Sequence, residues 1–141
     1  MKRFESQVKQ VPHSQNAVYS KVSDLNNLQA FINMLPEDKK AEYKISKISC
    51  TRDTVSFDLS PLGTISVNII ERQPDKCVKL ETVKSPVKMT AWIQIVPVTD
   101  QTCKIKLTVD ADLNIFIAKM VEKPLAEALE KMAEMLAMLP Y

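Results

Sequence analysis

The spacing of apolar residues changes three times along this chain, and each change marks a different kind of element. Residues 2–11 alternate, with Phe4, Ser6 and Val8 on one face, which predicts a half-buried strand that ends at Pro12. Apolar positions then recur at helical spacing as far as Ile32. From Tyr43 to Ala111 the period is two again, and beyond that it returns to helical spacing.

Two short helices are predicted after the first strand. Ser14 is a suitable N-cap for the first helix and Asp24 for the second, with a break at Ser23 between them. Residues 36–40 are then expected to form a solvated connection. The apolar faces of the two helices are formed by Val18, Tyr19 and Val22 and by Leu25, Leu28, Phe31 and Ile32.

Six strands follow, joined by turns short enough for hairpins, so we expect an antiparallel meander. The only glycine, Gly63, falls in the turn after the second of these strands, where a positive φ is useful. Alternation gives an inward face without charged residues. The predicted strands are 43–51, 54–60, 64–72, 77–83, 88–98 and 103–111.

The last element is predicted to be one long helix from Asn114 to about Met138. Pro124 lies inside it and lacks the N–H that would donate to the carbonyl four residues earlier, so we expect a kink between Met120 and Pro124. Its apolar stripe is formed by Leu125, Leu129, Met132, Leu136 and Leu139.

These elements predict an α+β domain over residues 1–141, with the order β-α-α-β6-α. A sheet of seven antiparallel strands twists, and it can curl around one long helix so that both apolar faces are buried. A ligand-sized space between sheet and helix often accompanies this arrangement.

Composition excludes several functions. A net charge of +2 with dispersed basic residues does not indicate a nucleic-acid partner or an anionic membrane. No apolar run is long enough to span a bilayer and no secretory signal is present, so a cytoplasmic location is expected. The three cysteines are too widely spaced for a disulfide framework or a zinc site, and we expect no metal and no cofactor.

Few residues are candidates for catalysis, and we assign none to it. His13 is the only histidine; it is either a general base near the cavity or, as we favour because a general base needs an oriented partner, an exposed turn residue. Asp110 and Asp112 suit solvated positions before a helix better than acid–base chemistry. Trp92 either stacks on a ligand or covers the outside of the sheet.

Three local sequences, together with the order of the elements, resemble a known superfamily. They are Trp92-Ile93-Gln94-Ile95, the last-strand sequence at 104–109, and the helical run at 121–129. With them the whole chain resembles the START, polyketide-cyclase and pathogenesis-related-protein superfamily (SRPBCC), with its helix-grip fold, and most of all its small single-domain bacterial members. A departure is the short Pro61-Leu62-Gly63 turn, where many plant members carry a Gly-rich loop.

The resemblance implies a cavity between the sheet and the last helix that binds a lipid- or polyketide-like molecule. The alternatives are a cyclase- or dehydratase-like enzyme and a protein-interaction module with a filled core; a homodimer is left open. We expect the mouth to be formed by residues 115–117 and the face of residues 28–32. The expected ligand-binding residues are Phe57, Ile69, Leu80, Met89, Ile93, Phe116, Met120, Leu125 and Met132.

Overall fold

The structure is a computed structural model that describes residues 2–38, 48–59, 63–84 and 87–139. The predicted strand start at Tyr43, the connection at Lys39 and Lys40, and the breaks at Pro61 and Pro86 lie outside these residues. The strands are β1 (Lys2–Glu5), β2 (Lys9–Val11), β3 (Ser49–Cys50), β4 (Thr54–Leu59), β5 (Gly63–Gln73), β6 (Cys77–Lys84), β7 (Met89–Thr99) and β8 (Thr102–Ala111). The helices are α1 (Gln15–Val22), α2 (Asn26–Met34) and α3 (Ile115–Met138).

The strands form one curved antiparallel sheet in the order β1-β8-β7-β6-β5-β4-β3, and β2 also pairs with β8. The predicted meander and the final long helix are therefore confirmed. Gly63 has a φ of +83°, as predicted for the turn before β5.

The predicted first strand is interrupted, which corrects the position of Val8. Phe4 pairs with Val109 and Lys9 pairs with Ile105, so one extra residue is inserted between β1 and β2. Such a bulge reverses the alternation beyond it. Val8 is consequently 54% exposed, whereas Phe4, Ser6 and Val11 are buried.

The helix starts follow the expected capping chemistry with one difference. The Ser14 hydroxyl accepts a hydrogen bond from the N–H of Ala17 at 3.1 Å, and Asn114 accepts one from the N–H of Ile117 at 2.9 Å. Asp24 was predicted to cap α2, but the N-cap position is Leu25. The Asp24 carboxylate instead accepts from the N–H of Asn26 at 3.0 Å, within the turn that precedes the helix.

Helix α3 is continuous from Ile115 to Met138 with Pro124 inside it, and the kink stays a prediction. One face of α3 buries Val121, Leu125, Leu129 and Leu136. The helix lies nearest to β8, β1 and β2. This off-centre position leaves space above the strands on the other side of the sheet.

Candidate ligand-binding cavity

A cavity of about 760 Å³ lies between the concave face of the sheet and the helices. Strands β4 to β8 form its floor, α1 and α2 border one side, and α3 borders the other. Its apolar lining consists of Val22, Leu25, Leu28, Ile48, Val55, Phe57, Val67, Leu80, Met89, Ala91, Trp92, Ile93, Leu107, Val109, Pro124, Leu125, Ala128, Leu129, Met132, Leu136 and Leu139.

The strand register explains why the floor is both apolar and recessed. Ala91 is directly paired with Leu80 on one neighbouring strand and with Val109 on the other. All three line the cavity, because residues in register project to the same face of a sheet. The methyl group of Ala91 between two larger side chains leaves room in the middle of the floor.

The hydroxyl groups of Ser6 and Thr82 form hydrogen bonds within the protein. The Thr82 hydroxyl accepts a hydrogen bond from the N–H of Met89 at 3.1 Å. Ser6 accepts from the N–H of Leu107 at 2.9 Å and donates to the carbonyl of Gln7 at 3.0 Å. These three bonds are made within the sheet and the first-strand bulge, and neither residue lines the cavity.

The charged side chains at the cavity come from helices, a feature that the strand pattern did not reveal. Glu130 accepts a hydrogen bond from the N–H of Gln7 at 2.9 Å and forms an ion pair with Lys9. These two interactions lower the pKa of the Glu130 carboxyl, the Gln7 bond having the larger effect. The charged residues that border the cavity are Lys21, Glu127, Glu130, Lys131 and Glu134.

Six of the nine expected ligand-binding residues line the cavity: Phe57, Leu80, Met89, Ile93, Leu125 and Met132. Ile69 is buried in the core but is not part of the lining. Phe116 and Met120 are 81% and 52% exposed and also lie outside it. Of the expected mouth, Leu28 borders the cavity, whereas the described lining contains none of residues 115–117.

Trp92 is part of the cavity lining, and its ring lies between two cations. The Cζ atom of Arg3 is 5.9 Å and the Nζ atom of Lys79 is 5.8 Å from its ring centre, distances at which a cation is attracted to the ring. Arg3 also donates two hydrogen bonds to Asp110, at 2.7 and 3.0 Å. This pairing lowers the pKa of the Asp110 carboxyl, so the group is not set up as an acid.

The thiols have the character of packed apolar groups. Cys50 and Cys103 are buried, and all three cysteines are free. Burial raises the pKa of Cys50 to about 11, which keeps it in the unreactive thiol form at neutral pH. No set of three potential metal-ligating side chains occurs among the residues that the structure describes.

Comparison with known proteins identifies the fold. No family model and no curated protein matches the sequence. Norcoclaurine synthase from Thalictrum flavum has a similar structure, with a TM-score of 0.68, 17% identity, and coverage of 96% of this chain and 84% of that one. A Thermobifida fusca protein solved by solution NMR gives a TM-score of 0.65 at 15% identity, covering 97% of this chain and 91% of its own.

A START superfamily protein from Mycobacterium smegmatis also matches, with a TM-score of 0.54, 14% identity, and coverage of 95% of this chain and 98% of that one. The chain therefore has a START-like helix-grip fold, as the sequence predicted. At these identities the likeness defines the fold alone. Among the described residues, no helix has the length and apolar character needed to span a bilayer.

Proposed function

We propose that this protein binds a small hydrophobic molecule, lipid- or polyketide-like, in the cavity between the sheet and α3. The observation that carries the proposal is the apolar lining around a volume of about 760 Å³. Sites for small molecules in proteins have volumes of roughly 300 to 1,000 Å³ and are lined mainly by apolar side chains.

The lining favours a ligand recognised by shape and apolar area. Its strand-derived part holds no charged side chain, and the hydroxyls of Ser6 and Thr82 already have partners in the sheet. The binding free energy then comes mainly from removing apolar surface from water, which salt affects little. Norcoclaurine synthase, of the same fold, has been solved with dopamine and hydroxybenzaldehyde, so the fold accommodates small aromatic molecules in that protein.

The two alternative functions are less well supported. A cyclase or dehydratase needs an acid–base pair in contact with the ligand, and the Glu130 carboxylate at the cavity is already engaged by Gln7 and Lys9. An interaction module with a filled core does not fit an open cavity of this size. The proposed carrier or sensor acts in the cytoplasm, a compartment in which buried free thiols such as Cys50 persist.

Titration with an uncharged apolar fluorophore tests the proposal. N-phenylnaphthylamine should bind saturably, with about one probe per chain, and a fatty acid or a flat polycyclic aromatic molecule should displace it. The dissociation constant should be nearly the same at low and high salt. If no apolar probe binds, and native mass spectrometry of freshly purified protein shows no co-purified small molecule, the proposal is wrong.

A further inference from the structure

The first two turns of α3 expose apolar side chains that have no role in the cavity. Ile115 is 73% exposed, Phe116 81% and Met120 52%. Large apolar side chains grouped on a surface mark an interaction site more often than those that occur singly. We call the group Ile115, Phe116, Lys119, Met120 and Lys123 the α3 entry surface.

The charges on this surface are positive. Lys119 and Lys123 are exposed, and they lie on the same helix face because each follows an apolar residue, Phe116 or Met120, by three positions. Neither lysine forms an ion pair with another residue in the described ranges, and the first turn of α3 has no acidic residue. Of the nearby acidic groups, Glu122 is paired with Lys2, Asp112 precedes the helix, and Glu127 follows Lys123 by one turn at the border of the cavity.

We infer that the α3 entry surface docks on anionic lipid bilayers, with Ile115, Phe116 and Met120 inserted among the acyl chains and the two lysines at the headgroups. Apolar side chains flanked by lysines on one helix face are the combination that binds in the plane of a membrane interface. Each lysine near an anionic surface strengthens binding on the order of fivefold. The net charge of +2 gave no indication of this, because the relevant charge is local.

A second copy of the chain fits this surface less well. A two-fold symmetric contact would place Lys119 and Lys123 of one copy against the same lysines of the other, which costs free energy. Three apolar side chains also cover much less than the roughly 800 Å² per partner that a stable protein interface buries. An anionic bilayer provides both an apolar interior for the three exposed side chains and negative headgroups for the two lysines.

The position of the surface relates docking to the cavity. Helix α3 continues from Met120 to Pro124 and Leu125, which line the cavity one turn later. A docked molecule therefore holds one end of its cavity close to the membrane, where apolar ligands partition. Docking goes beyond the proposed function and does not depend on it, since the docking residues are not cavity-lining residues.

Vesicle co-sedimentation of the full chain tests the inference. The protein should pellet with vesicles of phosphatidylcholine and phosphatidylglycerol, much less with phosphatidylcholine alone, and less as salt is raised. The double variant Ile115→Ser/Phe116→Ser should weaken binding by about tenfold or more. Lys119→Glu/Lys123→Glu should also weaken it by at least that factor, because each lysine is both removed and reversed in sign.

Matched controls are available elsewhere on the surface. Met34→Ser removes a similarly exposed apolar side chain from α2, and Lys76→Glu reverses an exposed charge in the β5–β6 turn. Both should bind vesicles like the wild type. Circular dichroism establishes that each variant is folded, and the charge variants keep the test informative if the double serine variant unfolds.

Three results would overturn the inference: equal binding to neutral and anionic vesicles, no vesicle binding at all, or entry-surface variants that bind like the controls. A dimer in sedimentation velocity that Phe116→Ser dissociates would assign the surface to a second copy. Because probe titration is performed without lipid, failure of docking and failure of the cavity proposal give separate readouts.

Discussion

The main-chain N–H of Gln7 donates a hydrogen bond of 2.9 Å to the Glu130 carboxylate, which joins the bulge in the first strand to the last helix. The bulge between β1 and β2 takes Gln7 out of the regular ladder and leaves its N–H available for a side chain. Glu130 thereby holds α3 over one edge of the sheet. The cavity occupies the space that this off-centre position leaves.

Glu130→Gln should destabilise the fold by about 1 kcal/mol, because it removes the ion pair with Lys9 and weakens a hydrogen bond to a charged acceptor. Glu122→Gln is the matched control, since Glu122 also lies on α3 and pairs with Lys2 but is more exposed. Its cost should stay within about 0.5 kcal/mol. Urea denaturation at neutral pH gives the free energy of unfolding of both variants. Equal losses for the two would contradict a stabilising hydrogen bond between the Gln7 N–H and the Glu130 carboxylate.

The stabilisation by Glu130 should disappear in acid. Its pKa is lowered from the ordinary value of 4.5, so the contribution is fully present above that pH and is lost as the pH falls through the folded-state pKa. The stability difference between wild type and Glu130→Gln should therefore shrink as the pH falls below the ordinary carboxyl value of 4.5. Asp110 changes stability in the same direction, but it is present in both proteins and cancels. A difference that grows in acid would be inconsistent with the lowered pKa.

Truncations in α3 should distinguish packed residues from cavity-lining ones. Met135 is fully buried and does not line the cavity, so Met135→Ala should cost about 2 to 5 kcal/mol. Leu129 is buried but lines the cavity, and Leu129→Ala should cost less, about 2 kcal/mol or below, because fewer contacts are lost. Urea midpoints measure both. A larger loss for Leu129→Ala would indicate that the space beside it is filled.

Gly63→Ala should cost about 1 kcal/mol through the backbone alone. The φ of Gly63 is +83°, and a Cβ placed there would meet no atom of the described residues within 4 Å, its chain neighbours aside. The penalty is therefore conformational rather than steric. Gly63→Asn should recover part of the loss, since asparagine tolerates positive φ better than alanine. If alanine is as stable as glycine in thermal denaturation, the strain argument fails.

Most of the fold followed from local rules. The period-two runs, the hairpin-length turns and the caps at Ser14 and Asn114 each depend on a few neighbouring residues. The exposure of Val8 could not be predicted in this way. A bulge leaves the apolar pattern unchanged while reversing which face each later residue occupies, and only the pairing of β1 and β2 with β8 reveals it.

The cavity was predictable only in part, for a related reason. Alternation identified Phe57, Leu80, Met89 and Ile93 because they face the inside of the sheet. Whether a helix residue reaches the cavity depends on where α3 lies, which is a tertiary property. The small size of Ala91 among the larger inward-facing residues of the strands could have indicated a recess in the floor. The alternation rule, however, takes no account of side-chain size.

Paired tryptophan substitutions on α3 test the central claim most directly. Met132 lines the cavity and Met120 is exposed outside it, so the same change is made on one helix inside and outside the site. The dissociation constant of N-phenylnaphthylamine should rise about tenfold or more in Met132→Trp, because the indole fills volume that the probe needs. It should be unchanged in Met120→Trp, with both variants folded. Equal affinities in the two variants and the wild type would show that apolar ligands do not bind in this cavity.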